Sequence, residues 1–279
     1  MKEHMSTEAR IFARQLAREV RRRERIGAGM LWPGAADWNQ ATSCLLKDFF
    51  KRGSPIKRIE MLKRANDRVE SVADADVSFM TMGSFANRRR GRFGIMTLLE
   101  GDHPLIDAGA ERGFIVTWHA YEVTRPGDGG ITALPFAYAS AHALGRFFDR
   151  AHRHPDIDEG IAFLKLCGAV GWEVGHRKEL WKSGITVPLG PGDWDLYAVG
   201  SARPVTRKTK LKGKITTPMF DCRTVLERQM LSAEEQCQAA ALGDAWTNDH
   251  DLTKVARIEP RFDFVAQMIA EAGERRMAS

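Results

Sequence analysis

The spacing of apolar residues changes near residue 75, and that change limits the fold more than any other feature. Before it, Phe12, Leu16 and Val20 stand at i, i+4 and i+8, and Ile56, Ile59, Leu62 and Val69 make a second seam of the same kind. A period near 3.6 turns one face of an α-helix toward a core. After "ESVADAD", the runs "VSFMTMGSF", "FGIMTLL", "GFIVTWHAYEVTR" and "ITALPFAYAS" are rich in β-branched and aromatic residues, with "ANRRRGR" and "PGDGG" between them. That pattern reads as strands joined by hairpins. The expected class is α+β: a helical, basic N-terminal subdomain over residues 1–75, then an α+β domain over 76–279 in which an antiparallel sheet packs with helices, the last of them C-terminal.

Local signals set the helix limits. "DWNQATSCLLKDFFKRG" gives a helix ending at Gly53, and the next opens with Ser54 as N-cap and Pro55 at the first helical position. Asp156 and Glu159 form a capping box ahead of "IAFLKLCGAVGW", as do Ser232 and Glu235 further on. A last helix is expected from about Arg261, where Phe262, Val265 and Ile269 look like packing.

Composition excludes several classes. With 43% hydrophobic residues the chain can bury a core, and no run is long and apolar enough to span a bilayer. The amino terminus mixes acids with arginines and lacks an apolar signal core, so a cytoplasmic location is expected. Cys44, Cys167, Cys222 and Cys237 form no C-x-x-C pair, which argues against a zinc knuckle or disulfide framework. No phosphate loop, dinucleotide fingerprint or nucleophile elbow is present, and no cofactor is expected. In "HRHPDID", His152, His154, Asp156 and Asp158 alternate as metal ligands can, but helix-end histidines and a capping box account for them, and no metal site is assigned.

Charge is concentrated at one end. The chain carries a net +6, and residues 1–70 hold 16 Lys and Arg against 9 Asp and Glu, a balance of +7. Such a field attracts phosphates. Arg14, Arg18, Arg21 and Arg25 fall within about 60° of one another on the first helix, opposite its apolar seam. Lys57, Arg64 and Arg68 share a face of the third, which the short "RGSP" link joins to the second as in a helix-turn-helix. Arg88, Arg89, Arg90 and Arg92, between Phe85 and Phe93, suit a loop that grips a phosphate backbone and equally a soluble hairpin tip. In "RKTKLKGK", Lys208, Lys210, Lys212 and Lys214 recur at period two, so one strand would carry all four on one side, to track phosphates or to protect a sheet edge.

The stretch "SAHALGRFFDRAHRH", residues 140 to 154, reads as a helix with Ser140 as N-cap. On a helical wheel His142, Arg146, Arg150 and Arg153 gather within about 80° while Leu144, Phe147 and Phe148 gather opposite. A histidine beside guanidinium groups can move a proton while the arginines hold a phosphate. The same spacing describes a solvated face with Asp149 paired to Arg153. Further on, Arg223 and Thr224 could offer donors to a transition state.

"SAHALGRFFDR" resembles the His-Ala-x-x-Arg-x-x-x-Arg opening helix of small ribonuclease-like toxin domains of the barnase, EndoU, colicin and RelE type. The resemblance covers eleven residues and implies that His142, Arg146 and Arg150 match the motif, with a sheet supplied by residues beyond about 185. Two classes of function follow. The first is a nucleic-acid-binding protein, RNA or DNA, of regulatory, mobile-element or defence type. The second is a metal-independent ribonuclease-like enzyme with His142 as general acid or base, and a protein-binding adaptor stays open beside them.

Overall fold

The structure is a computed structural model; it describes residues 5–70, 80–87, 90–106, 111–123, 130–151, 154–176, 184–189, 196–209, 213–237 and 239. The class is α+β. Three helices come first: α1 (Thr7–Leu31), α2 (Trp38–Lys51) and α3 (Pro55–Glu70). Four strands follow, β1 (Met80–Asn87), β2 (Arg90–Asp102), β3 (Arg112–Val123) and β4 (Gly130–Ser140), then α4 (Ala141–Arg150) and α5 (Ile157–His176), and then β5 (Gly184–Pro188), β6 (Leu196–Thr209) and β7 (Gly213–Glu227).

The helix limits follow from local chemistry. The Ser6 hydroxyl accepts from the Ala9 amide at the start of α1, and Asp37 and Ser140 do the same for α2 and α4. Each satisfies an amide that the helix leaves without a partner. α3 begins at Pro55, and α5 is opened by the reciprocal pair in which Asp156 accepts from the Glu159 amide at 2.8 Å and Glu159 from the Asp156 amide at 2.9 Å.

The seven strands among the described residues form one sheet in the order β1-β2-β3-β4-β7-β6-β5. The expectation of an antiparallel sheet needs one correction: β4 and β7 run parallel, with Ala137, Tyr138 and Ala139 opposite Phe220, Asp221 and Cys222. A parallel pair requires a long crossover, and α4 and α5, followed by the β5–β6 hairpin, provide it. The sheet is therefore drawn from both sides of α4 in the sequence, four strands before it and three after.

Alternation along the strands separates the two larger cores. Met96, Phe114, Val116 and Trp118 join α4 and α5 in one; Phe93, Ile95, Tyr121 and Val123 join α2 and α3 in the other. α5 rests directly on β4: a Cβ on Gly171 would lie 1.9 Å from the Phe136 carbonyl oxygen. α1 joins the cores, with Phe12, Leu16 and Val20 in the first and Ala28 and Leu31 in the second. The three N-terminal helices thus share their buried surface with the sheet. Among the described residues no helix is long and apolar enough to cross a membrane.

Candidate nucleic-acid interface

α1 buries its apolar seam and leaves its arginines outside. Arg14, Arg18, Arg21 and Arg25 are all exposed. The rest of the arginine-rich helix is partly neutralised: Glu19 bonds Arg22 at 2.8 Å and Arg23 at 2.8 Å, and Arg23 also reaches Asp158 at 2.8 Å. The Arg22 hydrogen bond is the main reason the Glu19 carboxyl is held down to about 2, against the opposing effect of its partial burial and with further help from Arg23. Arg21 reaches Glu100 at 3.2 Å. Among the described residues no ion pair neutralises Arg14, Arg18 or Arg25.

The α2–α3 turn is held from inside by a cation that the sequence reading did not single out. Arg58 is buried, and its Nε donates to the carbonyls of Phe49 at 3.0 Å and Arg52 at 2.8 Å, with the guanidinium 5.2 Å from the Phe49 ring centre. It caps the C-terminal end of α2, where carbonyls lack partners and positive charge is favoured. Arg58 turns inward, whereas Lys57, Lys63, Arg64 and Arg68 of α3 are all exposed.

Three of these border a cleft. A space of about 340 Å³ opens between the end of α1, α2 and α3, where Trp32, Leu31 and Met61 meet Lys57, Arg64 and Arg68. Asp48 and Glu60 also line it, as does Arg52, and Arg52 holds Asp48 at 2.7 Å. Four cations against two acids leave the cleft positive, with one half-buried indole on its wall. Trp32 was not among the residues read from sequence, although a signal exists: it lies seven residues after Arg25, two helical turns on, in register with the arginine stripe.

The stretch around α4 departs from its expected exposed face. His142 is exposed, but Arg146 is only 8% exposed, and Arg150 is half-buried and donates to the Val225 carbonyl of β7. α4 lies between α1 and β7, so a wheel that allows for one buried side misplaces Arg146. The residues leading into α1 come so close that a Cβ on Gly145 would meet Met5 Sδ at 2.0 Å. Arg153, its expected partner, lies outside the described residues; the Asp149 carboxylate accepts from the Ser6 amide at 3.3 Å and from the Ser6 hydroxyl. His142, Arg146 and Arg150 therefore do not share an accessible surface.

Arg223 and Thr224 sit at an irregularity of β7, where Gly200 faces Cys222 and Val199 faces Thr224, leaving Arg223 without a cross-strand partner. Its guanidinium is occupied. Nη1 lies 2.9 Å from Glu111 Oε2 and Nη2 2.6 Å from Asp221 Oδ2. Burial opposes its charge, yet Asp221 and Glu111 outweigh that and raise its pKa. Asp221, fully buried, also meets Arg203 at 2.9 Å and His103 Nε2 at 3.3 Å. The His103 Nδ1 accepts from the Leu105 amide at 3.1 Å, which leaves the Nε2 proton facing Asp221. With both ring nitrogens engaged, this cluster is a clasp between the β2–β3 connection, β6 and β7.

The remaining basic clusters are dispersed by the strands. Arg92 pairs with its cross-strand neighbour Glu122 at 3.0 Å, Arg90 is exposed, and Arg88 and Arg89 lie outside the described residues between Asn87 and Arg90, which face each other. The four lysines do not share a strand. β6 ends at Thr209 and β7 begins at Gly213, so Lys208 faces Lys214 across a hairpin, and Lys210 and Lys212 lie outside the described residues. Period two cannot reveal that the chain reverses within the run. Of the "HRHPDID" residues, His154 stacks on Phe148 at 4.7 Å, Asp156 caps α5, Asp158 binds Arg23, and His152 is outside the described residues.

Compared with known protein families, curated proteins and solved structures, the chain matches none.

Proposed function

We propose that the protein binds nucleic acid through its N-terminal helices, as a non-catalytic binding protein. The observation that carries this reading is the cleft, which puts Trp32 beside Lys57, Arg64 and Arg68. Guanidinium and ammonium groups neutralise phosphates, and an indole offers a face to a base. The stripe of Arg14, Arg18 and Arg25 adds positive charge that no described carboxylate cancels. The expected chemistry of the other end of the chain is weaker support, since Arg146 is buried, Arg223 is occupied and Lys208 and Lys214 lie on two different strands.

Fluorescence anisotropy with labelled oligonucleotides over a salt series tests the reading. The logarithm of the binding constant should fall linearly with the logarithm of salt concentration, and a Lys57→Ala, Arg64→Ala, Arg68→Ala variant should lower that slope by about 2 to 3. An unchanged slope in the triple variant, or no binding at low salt, contradicts it. Cleavage of the oligonucleotide during the titration contradicts its non-catalytic part.

A further inference from the structure

The Trp32 amide donates to the Ala28 carbonyl at 2.9 Å, so Trp32 still lies on the helical path of α1 although its own backbone is extended. At 100° per residue, Trp32 falls on the same side as Arg14, Arg18, Arg21 and Arg25, all within about 60°. The Trp32 backbone therefore continues the register of the arginine stripe, and its indole lines the cleft. Beginning at Arg14 and rising about 1.5 Å per residue, it runs about 27 Å along α1 and ends at the mouth of the cleft bordered by the α3 cations.

From this we infer that the nucleic acid is single-stranded, with its backbone on the α1 arginines and one unpaired base seated against Trp32 in the cleft. The inference rests on the proposed function above. Three properties select a single strand. The space of about 340 Å³ is concave and of small-ligand size, whereas the bases of a duplex are stacked and paired and cannot enter such a site without being extruded. The indole forms part of the wall, where a base can stack on it, and stacking tolerates any base. The cations form a line on one helix, which suits a backbone followed along a groove better than two strands wound about an axis. About eight stacked nucleotides span the line at 3.4 Å each.

The test uses the full chain and compares single-stranded DNA, single-stranded RNA of the same sequence and the corresponding duplex, in lengths from 2 to 20 nucleotides. Single strands of one or both sugars should bind at least about fivefold more tightly than duplex, with affinity climbing steeply to about 8 to 10 nucleotides and then flattening. Trp32→Leu, which keeps an apolar side chain against the helices, should weaken single-strand binding about tenfold or more with little change in salt slope, and Trp32→Phe should restore most of it. Replacing Arg14, Arg18 and Arg25 by Ala should instead lower the slope by about 2. Thermal melts of each variant check that the helices remain folded. Duplex binding equal to single-strand binding, with Trp32→Leu and Trp32→Phe both unchanged, overturns the inference and leaves the nucleic-acid reading standing. A dinucleotide that binds as tightly as a 10-mer removes the track. Failure of every oligonucleotide to bind at low salt removes the reading itself.

Discussion

Arg58 reaches from the first turn of α3 to the Phe49 carbonyl near the end of α2, donating through Nε at 3.0 Å. This one residue fixes the turn between the helices that border the cleft. Its position separates two kinds of arginine on α3, one holding the fold and the others facing outward.

Arg58→Met should therefore destabilise the protein by about 2 kcal/mol, since hydrogen bonds from a charged donor contribute about 1.5–3 kcal/mol and the buried Phe49 carbonyl and the part-buried Arg52 carbonyl each lose their donor. Lys57→Ala and Arg64→Ala, both on the exposed face, should each change stability by no more than about 0.5 kcal/mol. Urea midpoints of the three variants check this. Equal losses at all three positions would mean that the outer cations also hold the helices together.

On α4 the order of sensitivity should be the reverse of a shared exposed face. His142→Ala should leave stability within about 0.5 kcal/mol of wild type, while Arg146→Ala should cost more than about 1 kcal/mol through lost stem packing in a buried position. Thermal melts distinguish the two, and a neutral Arg146→Ala would contradict its burial.

These contrasts mark what could be read from the sequence. Ser140 at the start of α4, Pro55 at the start of α3 and the Asp156–Glu159 box were legible because each acts on amides a few residues away. The apolar seam of α1 and the hairpins of β1–β4 were legible because periodicity records which face is buried. Arg146 was not, because α4 is enclosed between α1 and β7, segments far from it in sequence. The parallel pairing of β4 with β7, and with it the Asp221 clasp, has no local signature either. Trp32 was legible in principle, since it continues the arginine register. It lies past the last helical residue, outside the amphipathic segment itself.

Acid should weaken the fold through His119. The ring is buried, stacked near Trp38 and bonded to the Thr97 hydroxyl at 3.1 Å, and burial lowers its pKa to about 4 from 6.5. The neutral ring is the form that fits the core, so the unfolded chain takes up this proton first as pH falls. Stability from this group is complete above about pH 6.5 and declines between pH 6.5 and 4, by up to about 3 kcal/mol. Glu19, with its carboxyl held down to about 2, adds its loss only below pH 4.5. Denaturant titrations of wild type and His119→Gln at pH 8, 6 and 4.5 isolate the histidine: the variant should lose much less stability across that interval. Parallel declines would place the acid sensitivity elsewhere.

The Asp221 clasp should matter for stability and leave binding alone. Asp221→Ala strips Arg203, Arg223 and His103 of a shared carboxylate, and the expected loss is about 2–3 kcal/mol, below that of a fully buried pair because both arginines keep contact with solvent. Oligonucleotide affinity of the folded variant should equal that of wild type. A selective loss of binding, with the melting temperature unchanged, would move the nucleic-acid site to this side of the sheet.

Ultraviolet crosslinking of a bound single strand, followed by mass-spectrometric mapping of the adducts, tests most directly that nucleic acid lies on the N-terminal helices. The account predicts crosslinked peptides from the end of α1, with Trp32 the leading site, together with α3 peptides that contain Arg64 or Arg68. Adducts confined to the β6–β7 tip around Lys214, or to α4 around His142, with none on α1 or α3, would contradict it.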